Sequence, residues 1–127
     1  MRKKPKSLTK AELRVMQVLW EIGRGTVSQV VAGLPPPPPA YTTVLTILRI
    51  LEQKGAVRRR SDARAHTYIP AIQRDDIARS AVADLVASFF ANSKSALALR
   101  LIAEARPSQE EIQALKDLIA RHEEKEQ

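Results

Sequence analysis

Apolar residues recur at steps of three and four through most of this chain, the spacing that gathers them on one face of a helix. The first stretch predicts a helix over Lys10–Ile22. Thr9 is placed as its N-cap, Glu12 completes a capping box, and Leu8 and Leu13 are spaced as a hydrophobic staple. Leu13, Met16 and Trp20, flanked by Val15, Leu19 and Ile22, form its apolar face, and Gly23 ends it. A second capping box, Thr26 with Gln29, opens a short helix bearing Val27, Val30 and Val31. Between residues 41 and 55 the apolar positions are Val44, Ile47, Leu48 and Leu51, and the opposite face carries Thr42, Thr43, Thr46 and Arg49. Gly55 stops this helix, because glycine turns left-handed without a side-chain clash. The period then shortens to two. Residues 57–61 and 65–69 read as strands joined by Asp62-Ala63-Arg64, a hairpin.

After the hairpin the helical period returns. Asp75 and Asp76 suit the positive end of a helix whose apolar positions Ile77, Ala81, Leu85 and Phe89 step by four, flanked by Ala78, Val82 and Val86. Another helix starts after Ser93 and carries Leu97, Leu101 and Ile102. Ser108 and Glu111 form a third capping box for a last helix with Ile112, Leu115, Leu118 and Ile119. The charged tail over 123–127 is expected to fray.

Helix, glycine stop and basic hairpin in immediate succession are the order of a winged helix-turn-helix, with the short helix before them as its first member. The expected fold is mainly α with a small β-hairpin. It divides into a basic flexible arm over 1–7, a winged helix-turn-helix DNA-binding domain over 8–71 and a helical dimerisation domain over 72–127. Three helices with one apolar face each make a poor core from so few residues, and want a partner. A symmetric dimer with a second copy is the leading reading, built on Leu85, Phe89, Leu97, Leu101, Ile102, Leu115 and Ile119; folding back onto the winged domain is the other. Between the short helix and Tyr41 stand five consecutive prolines at 35–39, which cannot be helical and predict a polyproline II spacer of roughly 15 Å. The run is read as a long turn between elements that must pack together, with a docking peptide as the alternative.

Charge sharpens this division. The whole chain carries +7, but residues 1–70 hold 13 Lys/Arg against 4 Asp/Glu, whereas residues 71–127 hold 8 against 10. Only the first half is built to meet a polyanion. Cysteine is absent, which excludes disulfides and thiolate metal sites. The basic start is followed by no apolar run of signal-peptide length, and no stretch approaches the roughly 20 apolar residues of a membrane span. A soluble, cytoplasmic protein without membrane contact is expected. No catalytic residue, metal ligand or cofactor site is expected: His66 and His122 have no companion at ligand spacing, and the glycines are scattered at turns.

Nucleic-acid contact is the chemistry the residues favour. Short hydroxyl side chains at Thr42, Thr43 and Thr46 let a helix approach base edges, and Arg49 shares their face. The helix start near Thr42 presents backbone N–H groups to a phosphate. Tyr41 either packs beneath the helix or donates its hydroxyl to a phosphate, and Leu45 faces either a thymine methyl or the core. Four arginines fall within seven residues of the hairpin, with Arg58 and Arg60 on one face and Arg59 on the other. Arg60 and Arg64, nearest the tip, are the best phosphate or minor-groove candidates, with His66 behind them. The alternative is a protein-interaction module with a proline-rich docking loop and no operator, its arginines serving solubility alone.

The residues Glu12-Leu13, Val15-Met16, Val18-Leu19-Trp20, Thr26-Val27, Ala40-Tyr41-Thr42-Thr43-Val44-Leu45-Thr46, Leu48-Arg49, Leu51-Glu52, Lys54-Gly55 and Arg64-Ala65-His66 with Tyr68 and Pro70 resemble the penicillinase-repressor family, of BlaI, MecI and CopY type. The resemblance is specific over residues 8–70 and looser beyond. It implies a homodimeric winged-helix repressor that binds a palindromic double-stranded DNA operator and dimerises through its C-terminal helices. Three departures stand out. Ile50 occupies a position where the family often has a second basic residue, and Ala63 replaces a glycine at the hairpin tip. Five prolines replace a more mixed loop. In antibiotic-responsive members a sensor protease leads to cleavage at an Asn-Phe bond in the penultimate helix. Here that region reads Leu99-Arg100-Leu101, so cleavage is not expected there and any regulatory protease is unknown. The copper-responsive members use C-terminal cysteine pairs, which this chain lacks.

Overall fold

A computed structural model describes residues 7–62 and 64–126. The expected flexible arm therefore lies outside the described residues except for Ser7, and so does Ala63 at the hairpin tip. The order is α1 (Lys10–Ile22), α2 (Val27–Gly33), α3 (Tyr41–Lys54), β1 (Val57–Asp62), β2 (Ala65–Pro70), α4 (Arg74–Phe89), α5 (Lys94–Glu104) and α6 (Gln109–Lys125). Mainly helical with a two-stranded antiparallel hairpin, it has the expected fold class. Contacts divide the chain within α4 into two compact units, Met1–Asp84 and Leu85–Gln127.

In the first unit, α1, α2, α3 and the hairpin close around one core. Val15, Met16 and Leu19 from α1, Val30 from α2, and Val44, Leu48 and Leu51 from α3 are almost wholly buried, with Val57 and Tyr68 from the strands. Leu8 and Leu13 pack against this core, as the staple requires. Capping boxes start α1 at Thr9 and α2 at Thr26. Gly55 ends α3 in the left-handed region (φ 83°), and Ala56 N–H donates to the Leu51 carbonyl (2.9 Å), which delivers Ala56 and Val57 straight into the core. Helices α1 and α2 approach so closely that a Cβ on Gly33 would lie 2.6 Å from Cγ1 of Val18.

Two long-range polar contacts fix the ends of this unit. Buried Glu12 accepts the Thr9 N–H (2.9 Å) within its capping box and receives Lys54 Nζ on both carboxylate oxygens (2.7 and 3.0 Å), tying the start of α1 to the end of α3. Trp20 Nε1 donates to the Ile72 carbonyl (2.9 Å) while Arg74 stacks over its ring (5.5 Å), holding the chain as it leaves the hairpin. Ile72 and Ile77 close the core from that side.

The proline run bends at Pro36 and Pro37 instead of extending straight as expected; the peptide bond between the two is cis. Pro35, Pro37 and Pro39 line a cavity with Ala11, Val15 and Ile47, and Pro35, Pro36, Pro37 and Pro38 stay exposed.

In the second unit, α4 ends in a tight turn through Ala91 and Asn92, both at positive φ, and Ser93 and Ser108 cap α5 and α6. Helix α6 runs to Lys125 and so includes the first residues of the charged tail. Among the described residues of this unit only Val86 and Leu97 are buried. Leu97, expected on a pairing surface, is thus used within its own chain, whereas Leu85, Phe89, Leu101, Ile102 and Ile119 are exposed, Phe89 at 77%, and Leu115 is half-buried.

Glu12 makes a stability prediction. Burial raises its carboxyl pKa, but the Lys54 and Thr9 hydrogen bonds outweigh this and hold it below the ordinary 4.5. A lowered folded-state pKa contributes stability above the unfolded value, which is lost as pH falls through the folded one. Glu12→Gln should cost about 1–2 kcal/mol near pH 7, and thermal melts of variant and parent should converge as the pH drops below about 4.

Candidate nucleic-acid interface

The core decides which residues α3 presents. With Val44, Leu48 and Leu51 inward, Thr42, Thr43, Thr46, Arg49 and Ile50 are exposed. Tyr41 is also exposed, and Leu45 packs half-buried against the core. Thr46 Oγ1 donates to the Thr42 carbonyl (2.9 Å), which commits its hydroxyl proton and leaves an acceptor oxygen and a methyl facing outward. The N-cap of α3 is Ala40, with extended backbone but no side-chain hydrogen bond, so no side chain satisfies the amides of the first turn.

The hairpin register sorts the basic residues. Arg59 pairs with Tyr68 and Ser61 with His66, so these four share a face, while Arg58 and Arg60 pair with Ile69 and Thr67 on the other. Tyr68 is buried against the core and anchors the inner face; burial, reinforced by the Glu52 carboxylate, pushes its phenol above the ordinary 10 and keeps it neutral. Arg59 turns back onto Glu52 of α3 (3.5 Å). Ser61 Oγ and His66 Nδ1 are 3.0 Å apart. If Ser61 donates, the imidazole presents Nε2–H outward as a donor.

The inner face, α3 and the start of α2 enclose an open groove of about 290 Å³. It brings Tyr41, Arg49, Arg64 and His66 together with Thr26, Ser28, Leu45 and Tyr68. Four of the predicted site residues do not line it: Thr42 and Thr46 are exposed on α3 outside the lining, and Thr43 and Arg60 lie elsewhere. Thr43 lines a different cavity, beside the proline loop and α1. Arg60 stands on the outer face of the hairpin, away from the Tyr68 side. Sequence reasoning missed Thr26 and Ser28 as groove residues, though the capping box had already placed both at a helix start. It also missed the bridge that seats the hairpin: Gly25 N–H donates to the Tyr68 carbonyl (3.1 Å) and Tyr68 N–H to the Gly25 carbonyl (2.8 Å).

A helix-turn-helix whose second helix shows a short-hydroxyl and arginine surface beside a basic hairpin is a winged-helix DNA-binding domain. The family model of the penicillinase repressor matches residues 8–121, and the chain belongs to that family. It is 26% identical to the penicillinase repressor of Bacillus licheniformis over 121 residues, covering 94% of each chain. Among solved structures it is similar to the DNA-binding domain of the repressor BlaI, at 31% identity and TM-score 0.52, over 60% of this chain and 93% of that one. The protein is a DNA-binding transcriptional repressor and not an enzyme. Among the described residues no single helix is long and apolar enough to cross a membrane.

The uncapped start of α3 yields a prediction with two opposed signs. Ala40→Ser should supply the missing N-cap acceptor and raise stability by about 0.5–1 kcal/mol in thermal melts. The same hydroxyl should compete with phosphate for the first-turn amides and weaken binding to duplex DNA in a gel-shift titration.

Proposed function

We propose that the chain represses transcription by binding a palindromic operator as a homodimer, one winged domain to each half-site. The observation that carries this reading is the groove in which Tyr41 and Arg49 of α3 meet Arg64 and His66 of the wing. Thr42, Thr46 and Arg49 are assigned to base edges. Arg49 suits the acceptors of guanine, and Thr46, its proton committed, suits an amino group of adenine or cytosine and the thymine methyl. Thr43 sits at the edge of this surface. Tyr41, Arg64 and His66 are assigned to phosphates from the groove, and Arg60 from the outer face of the wing. Half-sites should lie about one helical turn apart or a multiple of it.

The assigned dimer surface is the exposed apolar side of the second unit, with Leu85, Phe89, Leu101, Ile102, Leu115 and Ile119; Leu97 supports the fold from inside. The protein-interaction alternative is disfavoured by position. Its basic residues should scatter off the α3 surface, whereas Arg49 and Arg64 share one groove with Tyr41 and His66.

A dimer making roughly 6–10 phosphate contacts should lose about 10³ to 10⁵ in DNA affinity between 50 and 200 mM salt. A flat response overturns the reading. Arg49→Ala should relax base preference at one position of a footprint, at about 1–3 kcal/mol, while Arg60→Ala should weaken all sequences alike. Light scattering at micromolar concentration should give twice the 14.1 kDa chain mass. Paired Phe89→Asp and Leu101→Asp substitutions should reduce it to one.

A further inference from the structure

The five prolines exceed what a connection needs. Pro35, Pro37 and Pro39 form one wall of an open cavity of about 250 Å³ that has no part in the groove. Its floor is Val15, Leu34 and Ile47, all buried or half-buried. A cavity beside a well-packed core normally shrinks as its walls relax inward. Proline rings, with fixed φ and no rotatable side chain, resist that collapse and keep the space open. Rigid pyrrolidine rings beside branched aliphatics make an apolar wall that suits an aromatic ring.

The rim supplies the other half of the specificity. Arg14 lines the cavity from an exposed position, and its planar guanidinium matches a carboxylate. Thr43, also in the lining, lies in the first turn of α3, whose amides have no side-chain cap and carry partial positive charge. We propose that this cavity binds a small aromatic carboxylate, and that its binding lowers the affinity of the repressor for DNA. The coupling is direct: Thr43 and Ile47 belong to the helix that bears Thr42, Thr46 and Arg49, and a carboxylate at its N-terminus takes the place a phosphate would use and repels the DNA backbone. The regulatory half rests on the assignment of α3 to DNA made above.

The test uses the full chain with 2-naphthoate as the probe and 2-naphthamide as its neutral counterpart. In methyl NMR, naphthoate should shift Val15, Leu34 and Ile47, with a dissociation constant on the order of 1 mM or tighter. Arg14→Gln, at an exposed position, should weaken naphthoate about tenfold and leave naphthamide unchanged. Ala11→Leu, which fills the mouth from exposed α1 surface, should remove both. At saturating naphthoate and constant ionic strength, affinity for duplex DNA should fall at least about threefold, and in Ala11→Leu it should not respond. Absent or displaced methyl shifts, equal binding of acid and amide to parent and Arg14→Gln, or an unchanged DNA affinity each overturn the proposal. The titration without probe reports DNA binding by itself: a chain that bound no DNA would refute the operator reading, while the methyl shifts would still decide whether the cavity takes the ligand.

Discussion

Which side chains the winged domain exposes depends on how α3 is seated. Three side chains on one stripe, Val44, Leu48 and Leu51, are wholly buried against α1, α2 and the hairpin. A helix with that stripe pinned has no freedom to rotate, because turning it would expose the apolar residues at roughly 25 cal/mol per Å². The polar face is therefore aimed by the core. Its axial position is set by Gly55, where the chain leaves left-handed into Ala56 and Val57, and by Lys54 held on Glu12.

The wing is aimed by the same logic. Tyr68 is the side chain that joins it to the core, and the backbone exchange with Gly25 adds a third short strand position to the two-stranded hairpin. Because strand residues alternate, burying Tyr68 inward decides every neighbour: Arg59 and His66 go toward α3, Arg58 and Arg60 away from it. Four arginines close in sequence thus act on two different surfaces, and one of them is spent on Glu52.

The two units handle their apolar residues differently. In the first, five elements converge and the core is continuous. In the second, α5 and α6 are well capped by Ser93 and Ser108, so local signals suffice to start them, yet Phe89 and Leu99 are left at 77% and 69% exposure. Good capping and an uncovered apolar face together describe helices whose starts are fixed by local signals and whose apolar side is left open in the single chain.

Much of this was legible in the sequence, for a physical reason. Capping boxes, glycine stops and apolar periods act over three to seven residues, so α1, α2, α3, the hairpin and the polar face of α3 follow from the order of residues alone. Of the groove's members, Arg49 follows from the helical period and Arg64 and His66 from their place near the hairpin tip, while Tyr41 was open between the core and a phosphate. Contacts between distant residues were not. Nothing near Glu12 announces Lys54, nothing near Trp20 announces the Ile72 carbonyl, and nothing in Gly23-Arg24-Gly25 announces a bridge to Tyr68. The turning of Thr43 toward the proline loop, the burial of Leu97, the bend of the prolines and the division within α4 likewise needed the chain's path in space. The sequence determined which elements form and which face of each is apolar; the tertiary structure decided which polar residues those faces bring together, because that depends on distances no local spacing encodes.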